Sequence, residues 1–122
     1  APNTTLKRFC LLCSQGSAEP RALASQLLSG APKAQPDILL AGLELLGKLD
    51  TRRALQAFNG PQLHLFAGLD GLVPVQAATD MLALLPDVEV GLIEQACHAF
   101  LLEAPHELAA AIQALLYESG DD

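Results

Sequence analysis

Apolar positions recur at helical spacing through the first half of the chain. Asn3 or Thr4 can cap a helix that takes in the apolar run Leu6–Cys13 and continues to about Gln15. Gly16 suits the left-handed residue that ends it. Pro20 fits the first turn of a second helix, which carries Leu23, Leu27 and Leu28 on one face and stops at Gly30. After a loop over Gly30–Pro36, Pro36-Asp37 opens a third helix with Leu39, Leu40, Leu43 and Leu46, running to Gly47. Asp50 caps a short turn through Leu55. Residues 4–57 therefore read as helix after helix without a strand.

The pattern changes at Asn59-Gly60-Pro61. Gln62–Ala67 alternates only partly and ends at Gly68, which predicts a buried strand of a parallel sheet. Pro74–Leu85 is amphipathic at helical spacing, Pro86-Asp87 is a turn, and Val88–Ile93 is a second strand. A loop over Glu94–Ala99 follows. Pro105 then opens a last helix, Glu107–Tyr117, with Leu108, Ile112, Leu115 and Leu116 as its predicted core stripe and Gly120-Asp121-Asp122 as a frayed tail. Strand, helix, strand, helix within about 60 residues predicts α/β crossover units. Two parallel strands make a poor sheet by themselves, so the pattern predicts part of a larger fold.

Charge sharpens the division. Residues 1–57 hold all seven Lys and Arg and four acids, a net of +3, whereas residues 58–122 hold ten acids and neither Lys nor Arg. A nucleic-acid groove is not expected from this balance, while an acidic protein partner is compatible with the first half. No apolar run approaches the roughly 20 residues of a membrane span, and no signal peptide is visible. Cys10 and Cys13 form a C-x-x-C within a helical run, so they read as buried thiols one turn apart. With Cys97 the three cysteines offer no zinc site, because two further ligands at metal spacing are lacking. Free thiols point to a reducing, cytoplasmic setting. No metal or cofactor is expected.

Chemistry enters at two strand ends. Gly68-Leu69-Asp70-Gly71-Leu72-Val73-Pro74 places a carboxylate just past the first strand, at the edge where open α/β sheets gather ligands and catalytic groups. His98 lies in the loop after the second strand, 28 residues on. Adjacent parallel strands end side by side, so both loops reach one edge. There Asp70 can accept a hydrogen bond from one ring nitrogen of His98, fixing the tautomer and leaving the other nitrogen as a general base. His64, in mid-strand, reads as a packed or edge residue, and His106, at the start of the last helix, as a solvated one.

The succession strand-Gly-Leu-Asp-Gly-Leu-Val-Pro, then His98-x4-Glu103-x-Pro105, resembles the end of an α/β-hydrolase, whose chain order is Ser, Asp or Glu, His. Within that superfamily the chain resembles the esterases of biotin synthesis that cleave pimeloyl-carrier-protein methyl ester. Thr5-Leu6-Lys7-Arg8-Phe9 and Ala41-Gly42-Leu43-Glu44-Leu45-Leu46 are similar to stretches of their helical lid, and Asp50-Thr51-Arg52 through Leu55 to the return from lid to core. The resemblance implies a lid over residues 1–57 and, over 58–122, the C-terminal strand-helix-strand-helix part of the α/β core. It implies Asp70 as the orienting acid and His98 as the general base. Phe9 would line the acyl pocket, and Arg8 and Arg21 would meet an acidic acyl-carrier protein bearing the pimeloyl methyl ester. Thr4 and Ser25 stand where the family has further lid cations, which thins that patch.

One departure dominates. No Gly-x-Ser-x-Gly occurs, and neither does the family's His-Gly segment that helps form the oxyanion hole. The expectation is therefore a C-terminal half whose nucleophile and oxyanion donors lie in an absent N-terminal half, and which is inactive alone. Such a half should pair with that missing part or with a second copy of itself. Two alternatives stay open: an α/β-hydrolase of another reaction class (lactone, thioester, epoxide or carbon–carbon hydrolysis), or a non-catalytic helical interaction module.

Overall fold

The computed structural model describes residues 2–31, 33 and 35–120. Asp121 and Asp122 of the expected tail lie outside the described residues. The described part is mostly helical with one parallel strand pair, compatible with part of an α/β fold. Four helices come first: α1 (Pro2–Ser14), α2 (Pro20–Gly30), α3 (Pro36–Lys48) and α4 (Arg52–Ala57). Then β1 (Leu63–Ala67), α5 (Gln76–Leu84) and β2 (Glu89–Ile93) form a strand-helix-strand unit, followed by the single turn α6 (Phe100–Glu103) and α7 (Pro105–Gly120).

Most helix starts follow proline, whose fixed φ and missing N–H suit the first turn. This moves the first boundary: α1 begins at Pro2, so Asn3 and Thr4 lie within its first turn rather than capping it. The last helix opens at Pro105, as read from the sequence, and runs to Gly120, past the expected end at Tyr117. Before α5, the Pro74 carbonyl accepts the Ala77 N–H at 2.9 Å, a tight turn that delays the regular helix to Gln76. Asp50 stands one residue ahead of the cap position of α4. Its carboxylate accepts the Arg52 N–H at 3.1 Å and pairs with the Arg52 guanidinium.

The strands pair in parallel with Leu63 opposite Glu89 and Ala67 opposite Ile93. Both therefore end at the same level, and α5 packs on both. α1 packs along α2, and Leu23 and Ala24 of α2 are buried there. The rest of the buried set among the described residues is small: Cys10, Cys13, Ser14, Ala67, Ala96 and Cys97, with Leu85 the one other large side chain among them. Cys10, Cys13 and Cys97 are unbridged and buried, as expected of structural thiols. Burial pushes the Cys13 thiol up, and the neighbouring Cys10 and the Asp70 carboxylate push the same way.

Two leucine stripes do not reach this core. Every residue of α3 is exposed, Leu46 to 72%. In α7, Leu108 and Leu115 are half-buried, whereas Ile112 and Leu116 are exposed, so the predicted four-residue core stripe is corrected to its two inner positions. The periodicity is sound, but nothing among the described residues covers those faces. Apolar patches of this extent mark surfaces that meet another surface.

The turn after α1 is held by close approach. Gly16 has φ +92°, and a Cβ there would lie 2.7 Å from the Leu69 Cβ and 2.8 Å from the Leu69 carbonyl oxygen. Gly16→Ala therefore meets both a left-handed backbone and a rigid carbonyl. The expected loss is about 1–3 kcal/mol of stability, read from urea denaturation followed by circular dichroism; an unchanged midpoint would show that the α1 turn is not docked on the Leu69 loop.

Candidate functional site

The two strand ends are stitched together before either side chain acts. The Gly68 N–H donates to the Ile93 carbonyl at 2.9 Å, and the Leu69 N–H donates to the Ala96 carbonyl at 2.9 Å. Gly68 has no room for a side chain because the Glu94 backbone lies directly against it. These bonds bring the loop of Asp70 against the loop of His98.

Asp70 then sits in a nest of its own loop. Its Oδ1 accepts the Leu72 N–H at 2.8 Å and the Val73 N–H at 2.9 Å. Its Oδ2 lies 2.9 Å from His98 Nδ1. Since a carboxylate only accepts, Nδ1 carries the proton, and Nε2 is the ring's basic nitrogen. The Asp70 side chain is 6% exposed and that of His98 37%. The pair thus combines a sheltered anchor with a ring that solvent or a substrate can reach.

Burial alone would raise the Asp70 carboxyl. The Val73 and Leu72 N–H bonds, with the bond to His98, outweigh that and hold it below its ordinary value. The carboxylate stays ionised across neutral pH and can hold the imidazole and stabilise its protonated form.

A third element closes on the pair. The carbonyl of Cys13, one of the orphan carbonyls at the end of α1, accepts the Ala99 N–H at 3.2 Å. Opposite, a Cβ on Gly71 would lie 3.2 Å from the Leu12 carbonyl oxygen. The end of α1 therefore touches both loops. Within the His98 loop, the Cys97 N–H donates to Glu103 Oε1 at 3.0 Å.

The other sequence-derived positions lie further out. Arg8 lines an apolar groove with Leu11, Leu12, Gln15, Gly16 and Pro20. Arg21 is exposed and follows Pro20 directly. Phe9 is half exposed on α1 and is not among the residues lining that groove. His64 bonds Gln62 Oε1 at 2.9 Å within the strand region, and His106 is exposed at the start of α7. Among the described residues no group of three His, Cys, Asp or Glu is placed to hold a metal ion, and no helix is long and apolar enough to cross a membrane. Sequence reasoning gave no role to Glu103, although it stands in the His-x4-Glu-x-Pro spacing. The missing signal was α6, the turn that brings Glu103 back over Cys97.

No family model matches the chain. The chain is, however, related over most of its length to pimeloyl-[acyl-carrier protein] methyl ester esterases. It is 40% identical over 105 residues to the esterase of that name from Vibrio atlanticus (strain LGP32), covering 83% of this chain and 41% of that protein. Against that of Cronobacter sakazakii (strain ATCC BAA-894) it is 39% identical over 115 residues, 91% of this chain and 44% of the relative. It is 37% identical over 112 residues to the biotin biosynthesis bifunctional protein BioHC of Cellvibrio japonicus (strain Ueda107), 92% of this chain and 22% of that protein. The chain thus spans less than half the length of each of these relatives.

The depressed Asp70 carboxyl has a consequence for stability. A lowered folded-state value means that the unfolded chain binds the proton more tightly, so the contribution is present above the unfolded value near 3.8 and fades as pH falls through the folded one. Asp70→Asn should therefore cost stability at pH 6 and progressively less below pH ~4. Urea midpoints of both proteins between pH 6 and pH 3 measure this; a gap that widens on acidification would reverse the assigned sign.

Proposed function

We propose that this chain is the lid and the acid–base part of a serine carboxylesterase that hydrolyses pimeloyl-[acyl-carrier protein] methyl ester in biotin synthesis. The observation that carries the reading is the Asp70–His98 bond of 2.9 Å at the shared edge of two parallel strands, in a chain 40% identical to an esterase of that name. Residues 1–57 form the lid in this reading, and residues 58–122 the end of the α/β core. The exposed faces of α3 and α7 support it, since a larger domain would cover them.

The 122 residues hold no Gly-x-Ser-x-Gly, so the attacking serine belongs to another part of the polypeptide. That serine adds to the ester carbonyl as its proton passes to His98 Nε2. Collapse of the tetrahedral intermediate expels methanol, which takes the proton from His98, and leaves the acyl-enzyme. Water then attacks, His98 accepts its proton and returns it to the serine, and the free acid departs. Asp70 holds Nδ1 throughout and stabilises the imidazolium. Phe9 supplies apolar surface to the acyl chain, and Arg8 and Arg21 attract the acidic carrier.

In a polypeptide joining these residues to the nucleophile-bearing part, Asp70→Asn should lower kcat for methyl-ester cleavage by about 10⁴-fold, and His98→Ala at least as far. The 122 residues alone should show no cleavage. Equal rates for wild type and His98→Ala would sink the assignment.

The carrier reading has its own test. Arg8→Glu with Arg21→Glu should raise KM for a carrier-bound ester and leave a small free methyl ester unaffected, and the difference should shrink with added salt. Equal effects on both substrates would remove these arginines from carrier recognition.

A further inference from the structure

Glu103 stands outside the acid–base pair yet is bonded into its loop. It ends α6, a single turn of Phe100–Glu103 that folds the chain back on itself immediately after His98. Its Oε1 accepts the N–H of Cys97, the residue before His98, at 3.0 Å. Cys97 is fully buried, so that N–H has no water to turn to, and losing its acceptor would leave a buried donor unpaired. On the other flank of His98, the Ala99 N–H is taken by the Cys13 carbonyl. The backbone on both sides of the histidine is thus fixed: by a carboxylate on one side and by the end of α1 on the other.

Burial would push the Glu103 carboxyl up, but hydrogen bonding from the Ser17 hydroxyl, from the Cys97 N–H and thiol, and from the Ala18 N–H holds it below its ordinary value. Glu103 is therefore an anionic acceptor for the Cys97 N–H at neutral pH. Charge-assisted bonds of this kind are stronger and more directional than neutral ones.

We propose that Glu103 is a positioning residue for His98: by accepting the Cys97 N–H, it sets the loop that aims Nδ1 at Asp70. It acts through backbone and touches neither ring nor substrate. The role deepens the esterase reading and rests on it for its kinetic consequence. The geometric consequence, the integrity of the His98–Asp70 bond, does not depend on which reaction is catalysed.

The test uses the polypeptide that joins this chain to the nucleophile-bearing part, with two readouts. The first is the low-field proton signal of His98 Nδ1–H in its bond to Asp70, identified by its loss in Asp70→Asn. The second is kcat and KM for methyl-ester cleavage. Glu103→Ala should abolish or broaden the signal and lower kcat by roughly 10- to 100-fold with little change in KM, as misplacement of about 1 Å does. Glu103→Gln keeps an acceptor oxygen for the Cys97 N–H and should recover most of both. Should Glu103→Ala fail to fold, Glu103→Asp decides: it keeps the charge but falls one methylene short of Cys97, and should lose the signal in a folded protein. A folded Glu103→Ala or Glu103→Asp with wild-type signal and wild-type kcat overturns the proposal. A wild type that shows the signal but no esterase activity overturns the esterase reading instead, and the response of the signal to Glu103→Asp still decides the role of Glu103.

Discussion

A parallel strand pair cannot be joined by a hairpin, and the rest of the site depends on that constraint. The return connection must carry the chain back along the sheet, so both strands run out at the same edge. Here the crossover is α5, and the register sets Ala67 beside Ile93. The residues that follow, Gly68 to Asp70 and Glu94 to His98, have no choice but to meet. The Gly68 N–H bond to the end of β2 and the Leu69 N–H bond to the facing loop then fix how they meet. The Asp70–His98 bond is the last step of this placement rather than its cause, since a single charge-assisted bond could not hold two otherwise independent loops.

The composition of the buried set follows from the third partner, the end of α1. It must come close enough for the Cys13 carbonyl to receive the Ala99 N–H, and close enough to Leu69 that Gly16 cannot carry a Cβ. Large side chains would hold the backbones apart. The buried positions at this junction are accordingly Cys10, Cys13, Ser14, Ala96 and Cys97, compact residues that fill space without demanding it. The C-x-x-C spacing is thereby explained as packing: positions three apart on α1 share one buried face. Elevated thiol values at Cys13 and Cys97, caused first by burial, fit inert rather than reactive cysteines.

Much of this was legible in the sequence, and the exceptions have physical reasons. The helices of the first half, both strands and the shared edge of Asp70 and His98 could be read from periodicity and from the rule that parallel strands end together. Helix starts were displaced at Pro2 and Pro74, because proline sets the first turn in ways that capping preferences alone do not show, whereas the opening of the last helix at Pro105 was read correctly. Periodicity reports which face of a helix is apolar, and it is silent on what covers that face. Leu46 of α3 and Leu116 of α7 have the spacing of core residues and are exposed. Glu103 was visible as a letter in a motif but not as an acceptor. Its function depends on a four-residue helix too short to leave a periodic signal.

Two carboxylates of the acidic half thus bracket one histidine by different routes. Asp70 acts on the ring, through Oδ2 to Nδ1, and is itself held by the N–H groups of Leu72 and Val73. Glu103 acts on the backbone, through the Cys97 N–H. The first fixes which nitrogen carries the proton. The second fixes where the ring stands. A base needs both, because a correct tautomer aimed in the wrong direction cannot accept a proton from its donor. The end of α1 enters the same frame through the Cys13 carbonyl, which takes the Ala99 N–H, so a displacement of α1 would be felt at the loop of His98. In this chain α1, well ahead of the sheet, is a hydrogen-bonded part of the site's frame, and its sequence should be read with the same attention as Asp70 and His98.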